Sequence, residues 1–339
     1  MQIYSVSKLS ATIRQAFPTK RVIVIGDIVA DQFLSGTIDR VSREAPVFIL
    51  CHDETVTRPG GAANAAANIA AMGGTPILIG AAGADANGDL LRAALIDSGV
   101  DCKMILADPH LWTTTKIRVL AGHQYAARQQ VLRIDYENRN AISPESIEKM
   151  CANIRLAGVG ADAIIISDYN YGSANSEIFA AAKNTADTHR IPLIADSRYG
   201  LKNFAGAYSA TPNLEEIEAI LGKDFCDEDC SRLRDELGME SMLVTCGNKG
   251  MILFEAGKNP VRLPAVGSTL PVDVTGAGDT VIAAYSLGLA SALSFGDAAV
   301  IANHAGGIVV MKRGTAVASA DEIVGSLAEE EQSAKINTV

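Results

Sequence analysis

Short runs of aliphatic residues alternate with alanine-rich segments along most of the chain. The runs at 22–25, 77–80 and 163–166 are apolar throughout, as is typical of strands that are buried on both faces. We predict strands at 22–25, 77–80, 163–166, 192–195 and 242–246, and helices at 62–72, 87–98, 176–189, 214–221, 277–290 and 298–311. Regular alternation of strands and helices predicts an α/β fold, with a central, mostly parallel sheet flanked by helices.

Two stretches, at 33–57 and 113–135, break this alternation because they contain strand-like pieces and no helical pattern. The pieces lie at 33–38, 46–51 and 54–57, and the second stretch predicts one or two strands around the polar segment 121–128. We predict a small β-sheet that forms a lid over the open end of the main sheet; decorated edge strands are the alternative. Because no repeat or linker-like segment interrupts the chain, we predict a single domain over 1–339 with the lid segments inserted in it.

Composition and charge narrow the class of protein. The chain has 339 residues and is 48% hydrophobic, which is enough for a sizeable core. With 29 basic and 39 acidic residues its net charge is −10, and it lacks the basic surface that nucleic acid or an anionic membrane requires. Its N-terminal segment has no signal-peptide core, and no apolar run approaches the roughly 20 residues that span a bilayer. We therefore expect a cytoplasmic protein without a nucleic-acid or membrane partner.

Six cysteines are scattered along the chain, which suits reduced thiols better than a disulfide framework. Cys226 and Cys230 form one suggestive pair, in Cys-Asp-Glu-Asp-Cys. Without a second Cys or His pair nearby, this segment predicts an exposed acidic helix start rather than a metal site.

The most informative motif is Asp-Val-Thr-Gly-Ala-Gly-Asp at 273–279, directly before an apolar helix. Gly276, Ala277 and Gly278 open that helix, so their unpaired N–H groups lie at the positive end of its dipole, where a phosphate or oxyanion is stabilised. Asp279 follows in the first turn and is placed to accept a proton from an attacking hydroxyl. Base and anion cradle together indicate phosphoryl transfer. An ordinary capped helix is the alternative.

A second glycine motif covers 60–73 and begins another helix. Gly60 and Gly61 allow the backbone to approach a ligand closely, and Asn64 is one turn into the helix, where its amide can bind the hydroxyls of a polyol. The chain contains neither a Walker-type phosphate loop nor a Gly-x-Gly-x-x-Gly turn after its first strand, which disfavours those NTPase and dinucleotide-binding classes.

These two motifs resemble the paired signatures of the ribokinase (PfkB) family of carbohydrate kinases, and the similarity runs from about residue 21 to 319. Further similar segments are Gly-Asp-Ile-Val-Ala-Asp at 26–31, Arg-Val-Ser-Arg-Glu-Ala-Pro at 40–46, Arg-Pro-Gly-Gly-Ala-Ala-Asn at 58–64, Thr-Lys-Ile-Arg-Val-Leu at 115–120, Gln-Gln-Val-Leu-Arg-Ile-Asp at 129–135, Ser-Asp-Tyr at 167–169 and Thr-Pro-Asn-Leu-Glu-Glu at 211–216. The resemblance implies a ribokinase-like fold and ATP- and Mg²⁺-dependent phosphorylation of a sugar or sugar phosphate.

Within the family, these segments are most similar to the kinases of D-glycero-β-D-manno-heptose 7-phosphate, which implies transfer to the anomeric hydroxyl of that sugar. Another acceptor, such as a ketose, a different sugar phosphate or a nucleoside, remains open. So does a non-catalytic sugar- or nucleotide-binding protein of the same fold. Family lids often pair across a two-fold axis, which implies a homodimer.

The resemblance also implies roles for single residues. It makes Asp279 the base and Gly276, Ala277 and Gly278 the anion hole. The implied sugar ligands are Asp27, Asp31, Gly60, Gly61 and Asn64. The implied nucleotide ligands are Thr245, Gly247, Gly250 and Asn303, with Asn303 near the adenine. Asn213 and Glu216 resemble the element that places Mg²⁺ and its waters beside the ATP phosphates, although both also suit a helix capping box. Asp273 and the Val274 carbonyl resemble a monovalent-cation site, which favours K⁺.

Several basic residues are candidates for binding a phosphate on the acceptor. They are Lys116, Arg118 and Arg133 in the second lid segment, together with Arg198; solvated charges on the strand surface are the alternative. Asp168 ends a strand, where α/β sheets bind ligands, but it also suits a helix cap.

The chain departs from the heptose kinases at three places. Asp-Ser-Arg-Tyr stands at 196–199, where those kinases usually have Asp-Pro-Lys-Gly, and the segment 121–128 is longer than their turn. Many of them continue into a nucleotidyltransferase domain, whereas only 20 residues follow Ser319 here, which implies the stand-alone form.

Overall fold

The structure, a computed structural model, describes residues 4–123, 128–138, 140–268 and 270–336. Its strands are β1 (Arg21–Gly26), β2 (Ile28–Val41), β3 (Phe48–Gly61), β4 (Thr75–Gly83), β5 (Ile105–Asp108), β6 (Thr115–Gly122), β7 (Gln129–Tyr136), β8 (Ala163–Asp168), β9 (Leu193–Ser197), β10 (Ser209–Ala210), β11 (Ser241–Thr245), β12 (Met251–Glu255) and β13 (Val261–Leu263). Its helices are α1 (Val6–Gln15), α2 (Ala62–Ala71), α3 (Ala86–Asp97), α4 (Pro144–Gly158), α5 (Ser176–His189), α6 (Leu214–Leu221), α7 (Asp227–Glu236), α8 (Ala277–Ala290), α9 (Phe295–Val309) and α10 (Ala320–Ile336).

The larger sheet has the strand order β13-β12-β11-β10-β9-β8-β1-β4-β5. The strands from β11 to β5 run parallel, and β12 and β13 continue the edge in antiparallel pairing. The chain adds β4 and β5 on one side of β1 and then returns to β8 on the other side. This reversal makes the carboxyl ends of β1 and β8 a topological switch point, where α/β sheets form their ligand sites.

Both faces of the larger sheet are buried. Val22 and Val24 of β1 belong to one hydrophobic cluster, which includes residues of α1, α2, α8, α9 and α10. Ile23 and Ile25 point the opposite way, into a second cluster with residues of α4, α5, α6 and α7. Burial on both faces accounts for the continuous apolar runs of the strands, and it confirms the predicted α/β architecture.

The smaller sheet has the order β3-β2-β6-β7. It is built largely from the two stretches, 33–57 and 113–135, that interrupt the alternation of strands and helices. β2 pairs antiparallel with β3 and parallel with β6, and β6 pairs antiparallel with β7. The pieces predicted separately at 46–51 and 54–57 are one strand, because register shifts at 35–36 and 38–40 let β2 and β3 pair along their whole length. Of the segment 121–128, residues 124–127 lie outside the described residues.

Two other sequence features are clear in the fold. α7 begins at Asp227 with three acidic residues in its first turn and the exposed Cys226 before it, as predicted for an acidic helix start. In the part of the chain that the structure describes, no helix is long and apolar enough to cross a membrane.

Candidate active site

A cavity of about 540 Å³ lies between the carboxyl ends of the parallel strands and the lid. The main sheet contributes residues at the ends of β8, β9 and β11 and after β10, and the lid contributes residues of β2, β6 and β7. The start of α8 closes one side. The predicted site residues that line it are Asp31, Gly61, Lys116, Arg118, Arg133, Asp168, Arg198, Asn213, Glu216, Thr245, Val274, Gly276, Ala277, Gly278 and Asp279.

Asp279 lies in the first turn of α8 and is 2% exposed. Its Oδ1 accepts a hydrogen bond from the Tyr169 hydroxyl, and its Oδ2 accepts one from Nδ2 of Asn64, both at 2.9 Å. Burial raises the pKa of Asp279 to about 7, although these two hydrogen bonds and the charge of Lys116 act to lower it. A carboxyl that titrates near neutral pH is suited to act as a general base.

The amino end of α8 lies beside this carboxylate. Gly276 is its N-cap with φ of 78°, a left-handed conformation that favours glycine. A Cβ on Gly276 would lie 2.5 Å from Nδ2 of Asn64, so the close packing of α2 against this turn also requires glycine. Ala277 and Gly278 line the cavity next to Asp279. Base and helix N-terminus therefore face one space, as the motif predicts.

Asp27 does not line this cavity, so the structure does not support it as a sugar ligand. It is 1% exposed, and its carboxylate accepts hydrogen bonds from the backbone N–H groups of Tyr169, Tyr171 and Ser173 at 2.8–2.9 Å. Asp27 instead holds the loop after β8, which carries Tyr169 to Asp279.

Gly60 and Asn64 are also outside the cavity lining, and their contacts are to protein groups. A Cβ on Gly60 would lie 2.7 Å from Oδ2 of Asp31, so this glycine makes room for that carboxylate. The amide of Asn64 binds Asp279 rather than open space. Of the predicted glycine motif, Gly61 is the residue that reaches the cavity.

Cationic side chains form the lid side of the cavity. Nη1 of Arg118 donates to Oδ1 of the buried Asp31 at 2.6 Å. Lys116 lies over the rings of Tyr169 and Tyr171, with Nζ 5.6 Å from each centroid, and burial lowers its pKa.

Arg133 and Arg198 also line the cavity, and we call the four cations Lys116, Arg118, Arg133 and Arg198 the cationic wall. Arg133 makes two hydrogen bonds to Asp135, of 2.8 and 2.6 Å. Arg198, which follows β9, lies 5.7 Å from the ring of Tyr199. Three cations of the wall thus lie against aromatic rings, since Arg118 also lies 5.3 Å from the ring of Phe33, and Arg118 and Arg133 are paired with carboxylates.

Carboxylates form the side opposite the lid, at the ends of β8 and β9 and the start of α6. Burial and the negative charges of Glu216, Asp279 and Asp168 raise the pKa of Asp196 well above its usual range. Burial also raises the pKa of Glu216. Glu216 forms the predicted capping box: its oxygens accept from N and Nδ2 of Asn213 at 2.9 and 2.7 Å. We call Asp168, Asp196 and Glu216 the acidic cluster.

A smaller cavity of about 180 Å³ adjoins the first, and both are lined by Thr245, Val274, Ala277 and Gly278. The predicted residues Gly247, Gly250 and Asn303 line this second cavity. Nδ2 of Asn303 donates to the carbonyl oxygen of Pro264 at 2.7 Å. The predicted nucleotide ligands therefore come together.

Asp273 lies before the helix and is held by local donors. Oδ1 accepts from N and Oγ1 of Thr275 at 3.0 and 2.7 Å, and Oδ2 accepts from the N–H of Gly314 at 2.9 Å. These bonds lower its pKa against the effect of burial, so the carboxylate is ionised at neutral pH.

Comparison with known proteins agrees with this geometry. A sequence model described as pfkB family carbohydrate kinase matches residues 19–322. The chain belongs to the pfkB family of carbohydrate kinases. It is therefore a phosphotransferase with a hydroxyl group as acceptor.

Two curated relatives of this kinase are bifunctional proteins named HldE. The one from Hahella chejuensis is 38% identical over 327 residues, which cover 93% of this chain and 65% of that protein. The one from Chromohalobacter salexigens is 38% identical over 313 residues, which cover 91% and 63%. The chain thus spans just under two thirds of the length of these relatives.

Solved structures share the ribokinase-like fold. Phosphofructokinase-2 from Escherichia coli, in complex with potassium, matches with a TM-score of 0.74 at 20% identity, over 91% of this chain and 98% of that one. Ribokinase from Arabidopsis thaliana, complexed with ribose and ATP, matches with a TM-score of 0.69 at 21% identity, over the same shares.

Tyr169 and Asp196 line the cavity of this kinase and were not predicted as site residues from the sequence. Tyr169 follows Asp168 in a segment similar to the family, and Asp196 begins the segment that departs from it. Tyr169 bonds to Asp279, and Asp196 lies near the charges of Glu216, Asp279 and Asp168. These neighbours come from other segments of the chain, so the local sequence does not reveal them. A carboxylate at the end of a predicted strand was the one available signal for Asp196.

Proposed function

We propose that this kinase transfers the γ-phosphoryl group of ATP to a sugar that already carries a phosphate. The observation that carries the proposal is the cationic wall, which lines the same cavity as Asp279. An uncharged sugar offers these cations no ionic partner, whereas a phosphate dianion accepts charge-assisted hydrogen bonds from both guanidinium and ammonium groups.

The best candidate acceptor is the anomeric hydroxyl of D-glycero-β-D-manno-heptose 7-phosphate. The segments at 26–31, 40–46 and 129–135 resemble the corresponding segments of kinases of that sugar. The similarity to the HldE relatives also supports this choice of acceptor. Tyr199, 74% exposed, lines the cavity in the segment that departs from those kinases, and this favours testing other sugar phosphates as well.

The reaction follows from the groups around Asp279. The acceptor oxygen bonds to the γ-phosphorus while its proton passes to Asp279. The bond from the γ-phosphorus to its bridging oxygen breaks, and ADP leaves. N–H groups at the amino end of α8 stabilise the negative charge on the transferred phosphoryl group. Since the pKa of Asp279 is about 7, the base is present in its ionised form near neutral pH.

The acidic cluster fits Mg²⁺. Within the described residues, no three His, Cys, Asp or Glu side chains converge closely enough to ligate a metal directly. Glu216 also uses its oxygens in the capping box, and Mg²⁺ usually keeps several of its waters, so we propose contact through water. Burial and mutual repulsion raise the pKa of Asp196, and a nearby dication favours the ionised form. When bound, Mg²⁺ neutralises charge on the ATP phosphates.

The smaller cavity is proposed to hold the nucleotide. Its lining includes Thr245, Gly247, Gly250 and Asn303 together with apolar side chains such as Met251 and Val281, and it shares Thr245 with the larger cavity. We further propose K⁺ at the Asp273 carboxylate and the Val274 carbonyl, where an ionised carboxylate is already present.

The test is ADP release from Mg²⁺-ATP, with K⁺ present, over a panel of acceptors. The panel holds heptose 7-phosphate, fructose 6-phosphate, fructose 1-phosphate, ribose, fructose and adenosine. We expect turnover with a phosphorylated sugar, greatest with heptose 7-phosphate. Replacing K⁺ by Na⁺ tests the cation, and we expect slower turnover.

The matched variant is Asp279→Asn, which keeps the shape of the side chain and removes the base. Its turnover should fall by about 10² to 10⁴ while nucleotide binding is retained. Unchanged turnover in this variant would contradict the role of Asp279. Turnover on ribose or adenosine alone would contradict a phosphorylated acceptor.

We also propose that the lid pairs two copies of the chain. Apolar side chains are exposed on it: Val41, Phe48 and Leu132 are 55%, 60% and 54% exposed. Leu132 lies on the face of β7 opposite Arg133, because adjacent residues of a strand point to opposite faces. Light scattering should give a dimer mass, and Phe48→Asp together with Leu132→Asp should give a monomer mass.

A further inference from the structure

Two buried asparagines on α2 connect Asp279 to the chain between α9 and α10. Asn64 is 2% exposed and Asn68 is 0% exposed. Nδ2 of Asn64 donates to Oδ2 of Asp279 at 2.9 Å, and Nδ2 of Asn68 donates to Oδ1 of Asn64 at 3.2 Å. The backbone N–H of Ala318 donates to Oδ1 of Asn68 at 3.2 Å. We call this series of three hydrogen bonds the asparagine relay.

The backbone decides the direction of every bond in the relay. An N–H group only donates, so the side-chain oxygen of Asn68 faces Ala318 and its NH₂ group faces Asn64. That NH₂ group also donates to the backbone carbonyl of Asn64 at 3.0 Å, and a carbonyl only accepts. Asn64 therefore turns its own oxygen toward Asn68, which leaves its NH₂ group for Asp279.

The opposite orientation of the Asn64 amide is unfavourable at both of its ends. Its oxygen would face Oδ2 of Asp279, and two acceptors at hydrogen-bonding distance repel each other and disfavour the ionised carboxylate. The carbonyl oxygen of Gly276, which accepts from Nδ2 of Asn64 at 3.3 Å, would lose this donor. The amide orientation at Asn64 thus bears on both the base and the turn that begins α8.

We propose that Asn68 is a positioning residue, which acts through Asn64 to keep a hydrogen-bond donor on the carboxylate of Asp279. The proposal rests on the proposed function, because it takes Asp279 as the general base. Asn68 is fully buried and its side-chain amide is bonded to Asn64 and Ala318, so its effect on the base passes through Asn64.

Other titratable groups face Asp279 from the elements packed around it. Asp31 on β2 and Asp196 on β9 are acidic neighbours, and Lys116 on β6 is a basic one. Tyr169, after β8, donates to Oδ1. The side chain of Asn68 bonds to Asn64 and Ala318 and to none of these four groups, so we expect its replacement to leave the charges around Asp279 as they are.

The test is a pH titration of Asp279 in the full chain by NMR of aspartate labelled with carbon-13 at its carboxyl group, without sugar or nucleotide. The spectrum of Asp279→Asn identifies its resonance. We expect a wild-type midpoint near 7. Asn64→Leu removes a hydrogen bond to the charged form and should raise the midpoint by about half a unit to one unit. Asn68→Leu keeps the branching and the number of heavy atoms of the side chain and cannot donate, so it should shift the midpoint in the same direction.

A double variant isolates the path of the effect. If Asn68 acts through Asn64, the variant that carries both leucines titrates like Asn64→Leu alone, because the second substitution has nothing left to alter. The control is Ile69→Val, on the same helix and fully buried, which changes core packing outside the relay. Its midpoint should equal that of the wild type.

An unshifted midpoint in Asn68→Leu overturns the proposal. So does a shift that adds at full size to that of Asn64→Leu. If Asn68→Leu does not fold, Asn68→Ala removes the amide with a smaller side chain that cannot donate, and it carries the same comparison. The NMR midpoint does not depend on turnover, so the relay and the proposed base fail separately: the relay on an unshifted midpoint, the base on full activity of Asp279→Asn.

Discussion

At the scale of single residues, opposing effects set the proton affinity of Asp279. Burial raises its pKa, and hydrogen bonds from Asn64 and Tyr169 lower it, with a result of about 7. The two donors bind different oxygens of the carboxylate, so a single substitution can remove either hydrogen bond and leave the other in place. Burial of the hydroxyl raises the pKa of Tyr169 well above its usual range, so Tyr169 keeps its proton and remains a donor.

Tyr169→Phe should shift the pH dependence of kcat/KM. A base must be ionised, so activity rises as the pH increases through the pKa of Asp279. Loss of the hydroxyl donor raises that pKa, and the acid-side midpoint should move up by about half a unit to one unit. The control is Tyr171→Phe, since the Tyr171 hydroxyl donates to Glu137 instead. Equal midpoints in the two variants would contradict the role of the Tyr169 hydroxyl.

The motif at 273–279 could be assigned from sequence because it is local: helix N-terminus and carboxylate lie within one turn. Asp27 and Asn64 could not, because each is bonded to groups far along the chain. Asp27 binds the N–H of Tyr169, 142 residues away, and Asn64 binds Asp279, 215 residues away. A polar residue in a glycine motif is compatible with ligand binding or with such a contact, and the sequence does not distinguish the two.

At the scale of elements, the lid depends on a buried ion pair between β2 and β6. The side chains of Arg118 and Asp31 are 10% and 7% exposed, and 2.6 Å separates Nη1 from Oδ1. The pair of Arg133 and Asp135 on β7 is more exposed, at 46% and 21%. The two arginines therefore offer a comparison of the same chemistry at two depths.

Arg118→Leu should destabilise the chain by about 3 to 5 kcal/mol, because it leaves the charge of Asp31 buried without its partner. Arg133→Leu should cost less than about 1 kcal/mol, since water solvates the remaining carboxylate. Urea unfolding of both variants measures the difference. Equal free energies of unfolding would contradict the importance of burial for this pair.

Helices that begin at a clear local signal in the sequence were predictable from it. The predicted bounds of α5, α6 and α8 agree with the structure, because an N-cap or a glycine turn begins each of them. The lid strands were predicted as shorter pieces, because polar residues of β3 interrupt the apolar pattern while pairing with β2 continues.

At the scale of the whole molecule, the buried carboxylates make folding stability depend on pH. The pKa of Asp279 is raised from 3.8 to about 7, so the folded chain binds this proton more tightly than the unfolded chain. Its contribution to stability is complete below pH 3.8 and is lost as the pH rises through 7. Asp108 has the opposite behaviour: burial acts to raise its pKa, but hydrogen bonds from Ser143, His110 and Ser146 lower it to about 2.

Asp279→Asn should therefore be more stable than the wild type at pH 8, by a few kcal/mol, and this gain should shrink toward pH 5. Asp108→Asn should be less stable than the wild type by a similar amount at both pH values, because Asp108 is ionised throughout this range. Urea unfolding at pH 5 and pH 8 measures both differences. A gain in Asp279→Asn that does not change with pH would contradict the raised pKa.

The sequence by itself determined the class of fold and the local chemistry of this kinase. Hydrophobic periodicity specifies strands and helices because burial acts on residues that are close along the chain, and the motif at 273–279 contains its base and its anion cradle within one helical turn. The tertiary structure alone decided which polar residues face the cavity. Asp27 holds the loop after β8, and Asn64, which accepts a hydrogen bond from Asn68, donates to the carboxylate of Asp279. The fold brings together segments that are distant in sequence, and a buried polar group must bond to whatever packing places beside it.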